Sequence, residues 1–359
     1  MGRTLLICLG FLAGCGASAP PPPSDDAHYA AAERALSAGD LATAQRLFEA
    51  LAAASSDPEQ AALYRYRLAT VARRGGQDAD AQRILAEVAE GGSAERAPLA
   101  AYLQAVAVAE AGQGDAALRA LVEAQPDTIA ADKAVKYLGT HPATPVAAAD
   151  SAAWLEGIAA RHPEAAVADN ALWWASELRL LHLGDIPAAR DLLRRLATHF
   201  PESPLTDDAI WRLSQLHRRQ GAWAEAVETL GALLEIRNES SYLVGSYRSP
   251  YLDDAALAIA RIRYHALHDA AGAALAYRAL VAEFPQSVLC DDALFELAGA
   301  ELAMQRPAAA QATLKHLLRA HPDSRHVEAA RALLAAAHPA PPPMDAARVA
   351  PDPFVPVTP

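Results

Sequence analysis

A unit of about 38 residues recurs along the second half of this chain and restricts the fold more than any other feature. Ala171 and Ala209 are 38 residues apart, as are Ala255 and Ala293, and Ala293 and Ala330 are 37 apart. The clearest copy opens at His199 with the turn Phe200-Pro201-Glu202-Ser203-Pro204. An apolar-periodic run from Ala209 to Leu216 follows, then a break at Gly221 and a second run from Ala224. The order returns in RHPEAAVADNALWW from Arg161, EFPQSVLCDDALFEL from Glu283 and AHPDSRHVEAARALL from Ala320. Two helices joined by a tight bend fit each copy. Neither helix of such a pair can hide its apolar face alone, so a fixed period implies pairs stacked on their neighbours. The expected fold is all-α, a right-handed α-solenoid of antiparallel helix pairs.

Composition agrees. Aromatic residues are 6% against a hydrophobic share of 52%, so Ala and Leu dominate and favour helix. Alternating runs rich in Val, Ile and Thr are scarce, which argues against sheet. The net charge of −12 leaves no basic stripe for a phosphate backbone, so nucleic acid is excluded as a partner.

Earlier in the chain the pairs are 28–36 with 41–53, 58–74 with 78–90, and 95–111 with 115–124, split by Gly39, by Gly75-Gly76, and by Gly112 and Gly114. The stretch 127–163 is less regular because Pro142 and Pro145 interrupt it, and it reads as a divergent pair or a hinge. Asp127 or Thr128 is placed to cap its first helix and Asp150 its second. The expected organisation is a leader at 1–14, a Pro-rich tether at 15–26, N-terminal repeats at 27–126, the divergent pair at 127–163, and C-terminal repeats with a closing helix at 164–337. Prolines crowd 338–359, which is expected to be disordered.

These pairs resemble tetratricopeptide repeats. Leu213, Ser214, Gly221, Trp223, Ala226 and Leu230 fill the motif's places in the clearest copy, and Trp173, Gly184, Asp185, Ala189, Leu193 and Pro201 fill them in the copy before. Ala273, Tyr277 and Pro285 do so later, then Ala310, Leu314 and Pro322. His268 and Gln305 stand where the motif has its bend glycine. The longer unit, with its Pro-x-Ser turn and acidic pair, is similar to the repeats of outer-membrane lipoproteins of the barrel-assembly and Tol-Pal-associated families over roughly 161–334. That resemblance implies envelope protein partners.

The N-terminus fits this company. One positive charge at Arg3 precedes the apolar stretch from Thr4 to Ala13, which is too short to anchor as a spanning helix. It ends in Leu12-Ala13-Gly14-Cys15, which resembles a lipoprotein signal peptide with its lipobox. The alternative is an ordinary secretory leader that contains Cys15. A myristoylation signal fails because Leu6 stands where Ser or Thr is needed. Acylation at Cys15 with two or more chains would give stable membrane attachment. Gly16, not Asp, follows the cysteine, which by the same resemblance implies the outer membrane, facing the periplasm. Pro20 to Pro23 would be an extended spacer.

The candidate partner site has two parts. If the first helix of each pair lines the inner face, Trp174, Trp211 and Phe295 look into it, with Arg218 and Arg219 beside them and Leu178, Gln215 and Ile262 nearby. Either tryptophan could instead pack between repeats. The second part is an insertion, because Ala209 and Ala255 are 46 residues apart. The surplus falls in 237–250 and holds Tyr242, Tyr247 and Arg248, side-chain types enriched at binding hot spots. The competing reading folds those tyrosines back onto the array.

No catalytic, metal-binding or phosphate-binding motif occurs, and no cofactor, metal or small-molecule substrate is expected. The acidic pairs Asp207-Asp208, Asp253-Asp254 and Asp291-Asp292 sit in first helical turns, where capping is the expected role. Cys290 reads as a small packing residue. His141, His162, His199 and His321 read as helix-end residues. The leading functional reading is a lipid-anchored adaptor that binds envelope proteins. The alternative is a cell-wall enzyme or accessory with a glycan site, for which Glu177, Glu296 and Glu301 are the candidate acids, expected to be surface or groove residues.

Overall fold

The computed structural model describes residues 24–239, 249–336, 339–341, 343–344, 346–349 and 351. Among these the chain is all-α, with seventeen α-helices and no strand. It divides into two compact units, Met1–Ala117 and Leu118–Pro359.

In the first unit, α1 (Ser24–Ser37), α2 (Leu41–Ala54), α3 (Pro58–Arg74), α4 (Asp78–Glu90) and α5 (Arg96–Glu110) each pack on the next in sequence. Their bounds follow the expected pairs closely. Phe48 and Leu85 are fully buried, in two apolar clusters that fill the unit. Asp40 caps α2 through the Thr43 amide at 3.1 Å, and Asp57 caps α3 through the Glu59 amide at 3.0 Å.

The division falls at the start of α6 (Ala116–Ala124). Side chains of α6 and of the turn after it tie to α8 (Pro145–Arg161) and the turn beyond. Arg119 donates to Asp150 at 2.5 Å, Glu123 holds Arg161 and His162, and Asp127 accepts from the Ala166 amide at 3.0 Å. Asp150 therefore lies within α8 and does not cap it. Thr144 caps α8 through the Ala147 amide at 3.1 Å. Thr128, one of the two residues expected for the task, caps α7 (Ile129–Thr140).

From there the second unit is a continuous stack: α9 (Ala168–Glu177), α10 (Ile186–His199), α11 (Thr206–Arg219), α12 (Trp223–Glu239), α13 (Leu252–Arg261), α14 (Ala270–Glu283), α15 (Cys290–Ala303), α16 (Pro307–Ala320) and α17 (Val327–Ala335). The small residues of the repeat pattern sit where helices approach most closely: Ser214, Ala189, Ala226 and Ala273 are all fully buried. Part of the insertion is helical, since α12 runs on to Glu239.

Two features shape the bends. First, α9 and α13 each end in a π-helical turn, Leu178–His182 and Ile262–Ala266. The chain then closes with wide bonds from Asp185 N to Arg179 O and from Asp269 N to Arg263 O, each 2.8 Å. Second, the residue that replaces the bend glycine keeps glycine's backbone. Gly221 has φ +71°, and Gln305 has φ 59° with the same pair of capping bonds. His268 sits at φ 54°. A side chain in this region is strained, yet the bend geometry is retained.

The N-cap residues of α11, α13 and α15 are Leu205, Tyr251 and Leu289, without side-chain caps. Within the acidic pairs, Asp253 and Asp291 each accept a first-turn amide, from Asp254 at 3.1 Å and from Asp292 at 2.8 Å, in keeping with the capping role expected. An acid in the first turn of one repeat also accepts from the serine of the next repeat's turn. Ser203 donates to Asp169 at 2.5 Å, Ser287 to Asp253 at 2.6 Å and Ser324 to Asp291 at 2.6 Å. Each serine oxygen also accepts a backbone N–H two residues on. The Pro-x-Ser turn and the acid thus form a staple between consecutive repeats. Cys290 is buried and donates Sγ–H to the Phe284 carbonyl, as Thr206 does to that of Phe200. Burial pushes its thiol pKa up, consistent with a packing role.

Candidate functional site

The first helices of the second unit carry the site, but they do not hold every residue expected there. Trp174 is only 6% exposed. Its ring lies against the Cα of Gly139, so close that a Cβ on that glycine would come within 2.6 Å of the tryptophan. Trp174 is therefore an interior residue between α7 and α9, and no wall residue. Leu178 and Ile262, expected near the face, are fully buried as well. The two tryptophans differ: Trp174 packs inside, while Trp211 remains partly exposed.

Trp211 stacks on Tyr251 with ring centroids 5.0 Å apart and planes 7° from parallel. Tyr251 in turn donates its hydroxyl to Asp208 at 2.6 Å. The ring at the start of α13 is thereby held over α11. Arg218, in the last turn of α11, is half-buried, and Arg219 is exposed. Tyr242, Tyr247 and Arg248 lie outside the described residues.

Further along, Phe295 of α15 stacks on His326 at 4.4 Å. One residue on, Glu296 is buried and accepts from three elements: Arg261 of α13 at 2.8 Å, Tyr277 of α14 at 2.7 Å, and Arg348 at 3.0 Å. One helical turn before it, Asp292 accepts from Arg261 at 3.1 Å and from Arg325 at 2.5 Å, and its Oδ1 lies 2.7 Å from His326 Nε2. Burial pushes the Asp292 carboxyl up, but the bonds from His326 and Arg325 and the charges of Arg325 and Arg261 prevail and hold it below the usual range. Burial works against the Arg261 charge, yet its bonds to Glu296 raise its pKa overall. Burial, and then the charge of Glu296, push the Tyr277 phenol up, so it stays a donor.

The acids named from sequence as enzyme candidates are thus buried, contrary to the expectation of surface or groove positions. Glu177, Glu296 and Glu301 are 3%, 6% and 2% exposed. Each meets an arginine: Arg212 with Glu177 at 3.1 Å, Arg261 with Glu296, and Arg278 with Glu301 at 2.5 Å. They escaped notice as interior residues because a carboxylate is almost never buried without a partner, and each partner comes from another helix.

The tail supplies the other missing part. It was expected to be disordered over 338–359, yet Ala346–Val349 forms a 3-10 turn and Val349 is fully buried. The turn packs on α13 and on the π-turn after it. Val349 joins the apolar cluster of Ile210, Ile259 and Ile262, against which Trp211 also packs. Arg218 Nε donates to the Val349 carbonyl at 2.9 Å. Behind it, Tyr264, His265, Phe295, Glu296, Pro343 and Arg348 enclose a cavity of about 20 Å³, room for about one water. The sequence held one usable signal: Met344 to Ala350 is a proline-free window within the proline-rich tail.

Three segments, 170–203, 208–236 and 292–324, match the tetratricopeptide repeat family model. The chain carries tetratricopeptide repeats, and the matched segments all lie in the second unit. The unmatched stretch between the second and third segments contains the insertion and the bend at His268. No curated protein sequence gives a significant match. Among solved structures, a repeat-containing protein from Cytophaga hutchinsonii aligns at 14% identity over 84% of this chain and 98% of its own, with a TM-score of 0.41. A tetratricopeptide repeat protein from Parabacteroides merdae aligns at 15% identity over 87% and 97%, with a TM-score of 0.30. A Rap protein complexed with Competence and Sporulation Factor aligns at 15% identity over 82% and 74%, also with a TM-score of 0.30. The repeats make the array one of the protein-interaction scaffold type.

Proposed function

We propose that this protein is a lipid-anchored adaptor of a bacterial outer membrane, facing the periplasm, which gathers envelope protein partners on the first-helix face of its second unit. The observation that carries the binding role is the occupied face itself: Val349 of the turn Ala346–Val349 joins the cluster on which Trp211 packs, Arg218 donates to its carbonyl, and Phe295 lines a small cavity with Pro343 and Arg348. A surface that seats one peptide through an aromatic wall, a carbonyl-binding arginine and a buried acid has the chemistry to seat another. The anchor rests on Leu12-Ala13-Gly14-Cys15 and the prolines that follow. Its mechanism is to raise the local concentration of partners at the membrane.

Affinity capture from detergent-solubilised membranes tests the adaptor role. Trp211→Ala and Tyr247→Ala should each reduce partner recovery, and unchanged recovery with both removes this site. Cys15→Ser should release the protein from the membrane fraction, and its retention there refutes the anchor.

A second reading, a cell-wall enzyme or accessory with a glycan site, has one observation in its favour. Burial pushes the Glu177 carboxyl up, with Arg212 opposing and the Asp208 charge reinforcing the rise, and Asp208 is itself raised by burial. A buried carboxyl with a raised pKa near a second acid is the starting arrangement for a general acid. Purified protein that releases soluble fragments from peptidoglycan, and loses that activity on Glu177→Gln, would establish it.

A further inference from the structure

The contacts of the C-terminal tail say more than that the face can hold a peptide. They specify which peptide. Among the described residues from Pro339 onward, Val349 is the one that is fully buried, while Ala340, Pro341, Pro343 and Met344 are exposed. Three anchors hold the turn itself, and just before it Met344 Sδ lies 2.8 Å from His268 Nδ1. Val349 enters the apolar cluster between α11 and α13. Its carbonyl accepts from Arg218 Nε. Arg348, the residue before it, reaches Glu296, whose side chain is only 5% exposed. Each anchor reads a different property: an aliphatic side chain, a backbone oxygen in one direction, and a cation one residue N-terminal to the aliphatic position. Reversing the peptide, or exchanging the two residues, would place the guanidinium in the apolar cluster and leave the acid without it.

We propose that this face recognises an arginine followed by a small aliphatic residue, and that Arg348-Val349 is a resident copy of that ligand, displaced when a protein partner presents the same pair. The proposal rests on the reading of the face as a partner site. One buried side chain, one half-exposed guanidinium, one backbone hydrogen bond and the exposed Met344–His268 contact are few enough to exchange. The tether makes them effective all the same. Only ten residues separate Ala335, the end of α17, from Ala346. A link of that length keeps the turn at an effective concentration on the order of mM. A weak or wrong partner therefore cannot open the face, and one with a fuller set of contacts can. Because the arginine head is partly solvated, salt should loosen the tail.

The test uses the full chain and a fluorescein-labelled synthetic peptide of residues 343–351, followed by fluorescence anisotropy. Arg348→Glu combined with Val349→Asp should empty the face and let the peptide bind at least about tenfold more tightly than to the wild-type chain. Arg348→Ala alone should give a smaller gain, and adding Arg218→Ala to the emptied chain should weaken binding again. Peptides with alanine for the arginine or aspartate for the valine should not bind. Equal affinity for wild-type and emptied chains would show that the tail is no occupant. Failure of the emptied chain to bind, with its circular dichroism unchanged, would show that the face does not read this sequence. Concentration-dependent dimerisation of the wild type, abolished by the tail substitutions, would overturn the intramolecular assignment in favour of a second copy. The assay involves no envelope protein, so its failure is distinguishable from a failure of capture from membranes.

Discussion

The two units bury different kinds of side chain. In Met1–Ala117 the one fully buried polar residue among those described is Ser93, and the interior is otherwise apolar, built around Phe48, Tyr64 and Leu85. In Leu118–Pro359 the interior also takes in Glu177, Asp207, His217, His265, Asp292, Glu296 and Glu301. An apolar interior holds helices together with little regard to which neighbour supplies the area. A buried carboxylate tolerates only the packing that brings its arginine, since any other strands a charge at a cost of several kcal/mol. Glu177 with Arg212 joins α9 to α11, Arg261 with Glu296 joins α13 to α15, and Arg278 with Glu301 joins α14 to α15. The second unit thus fixes which helices are neighbours through charge, and the same acids give its face a sign that an incoming peptide can read.

The largest expected effects set the two interiors against each other. Phe48→Ala should cost about 3–5 kcal/mol by cavity formation, and Glu296→Ala about 1–3 kcal/mol by leaving the buried Tyr277 hydroxyl without its acceptor, with Arg261 keeping Asp292. Hydrogen exchange during urea unfolding should place the first loss in the first unit and the second in the second unit. Glu296→Ala should also free the tail, whereas Phe48→Ala should not. Protection lost equally in both units by either change would break the comparison.

Acid should distinguish the units next. Asp292 has its folded pKa lowered, so its contribution is complete above the unfolded value of about 4 and is lost as pH falls through the lowered folded value. Glu177 has its folded pKa raised by burial, so it opposes folding when ionised and its penalty is relieved as pH falls toward that value. Asp292→Asn should flatten the loss of second-unit stability below about pH 4, measured by thermal unfolding across pH. An unchanged slope would mean that other carboxylates carry it.

Smaller effects sharpen the account of the repeat itself. Ser287→Ala removes one staple to Asp253 and should cost about 1–2 kcal/mol, with a double-mutant cycle against Asp253→Asn showing the coupling. Smallest is a gain: Gln305→Gly relieves a side chain at positive φ and should stabilise by roughly 0.5–1 kcal/mol, read from the urea midpoint.

Much of this was legible before any coordinates. Helix bounds followed from glycine breaks and apolar spacing because both act within a few residues. Of the candidate site, the placement of Trp211, Arg218 and Phe295 on first helices was legible from their spacing, and each lies near the turn Ala346–Val349 or the cavity beside it. Trp174 shares that spacing and yet lies inside, since Gly139 of α7 leaves room for its ring. No pattern local to residues 170–180 contains that fact. The local role read for the acidic pairs is present at Asp253 and Asp291, but their serine partners stand 34 and 33 residues further on, beyond any local pattern.

Sequence alone determined the repeat, its helices and the chemistry of its turns, since these depend on backbone preferences and on periodicities that neighbouring residues enforce. Tertiary structure decided which tryptophan is interior and which stays partly exposed, which acids are buried, and that the turn Ala346–Val349 packs on α13. Those outcomes depend on contacts between residues far apart in the chain, Arg218 with Val349 and Glu296 with Arg348 among them. Such pairs leave no period to read, because the free energy that selects them arises only when stacked helices bring them into one desolvated space.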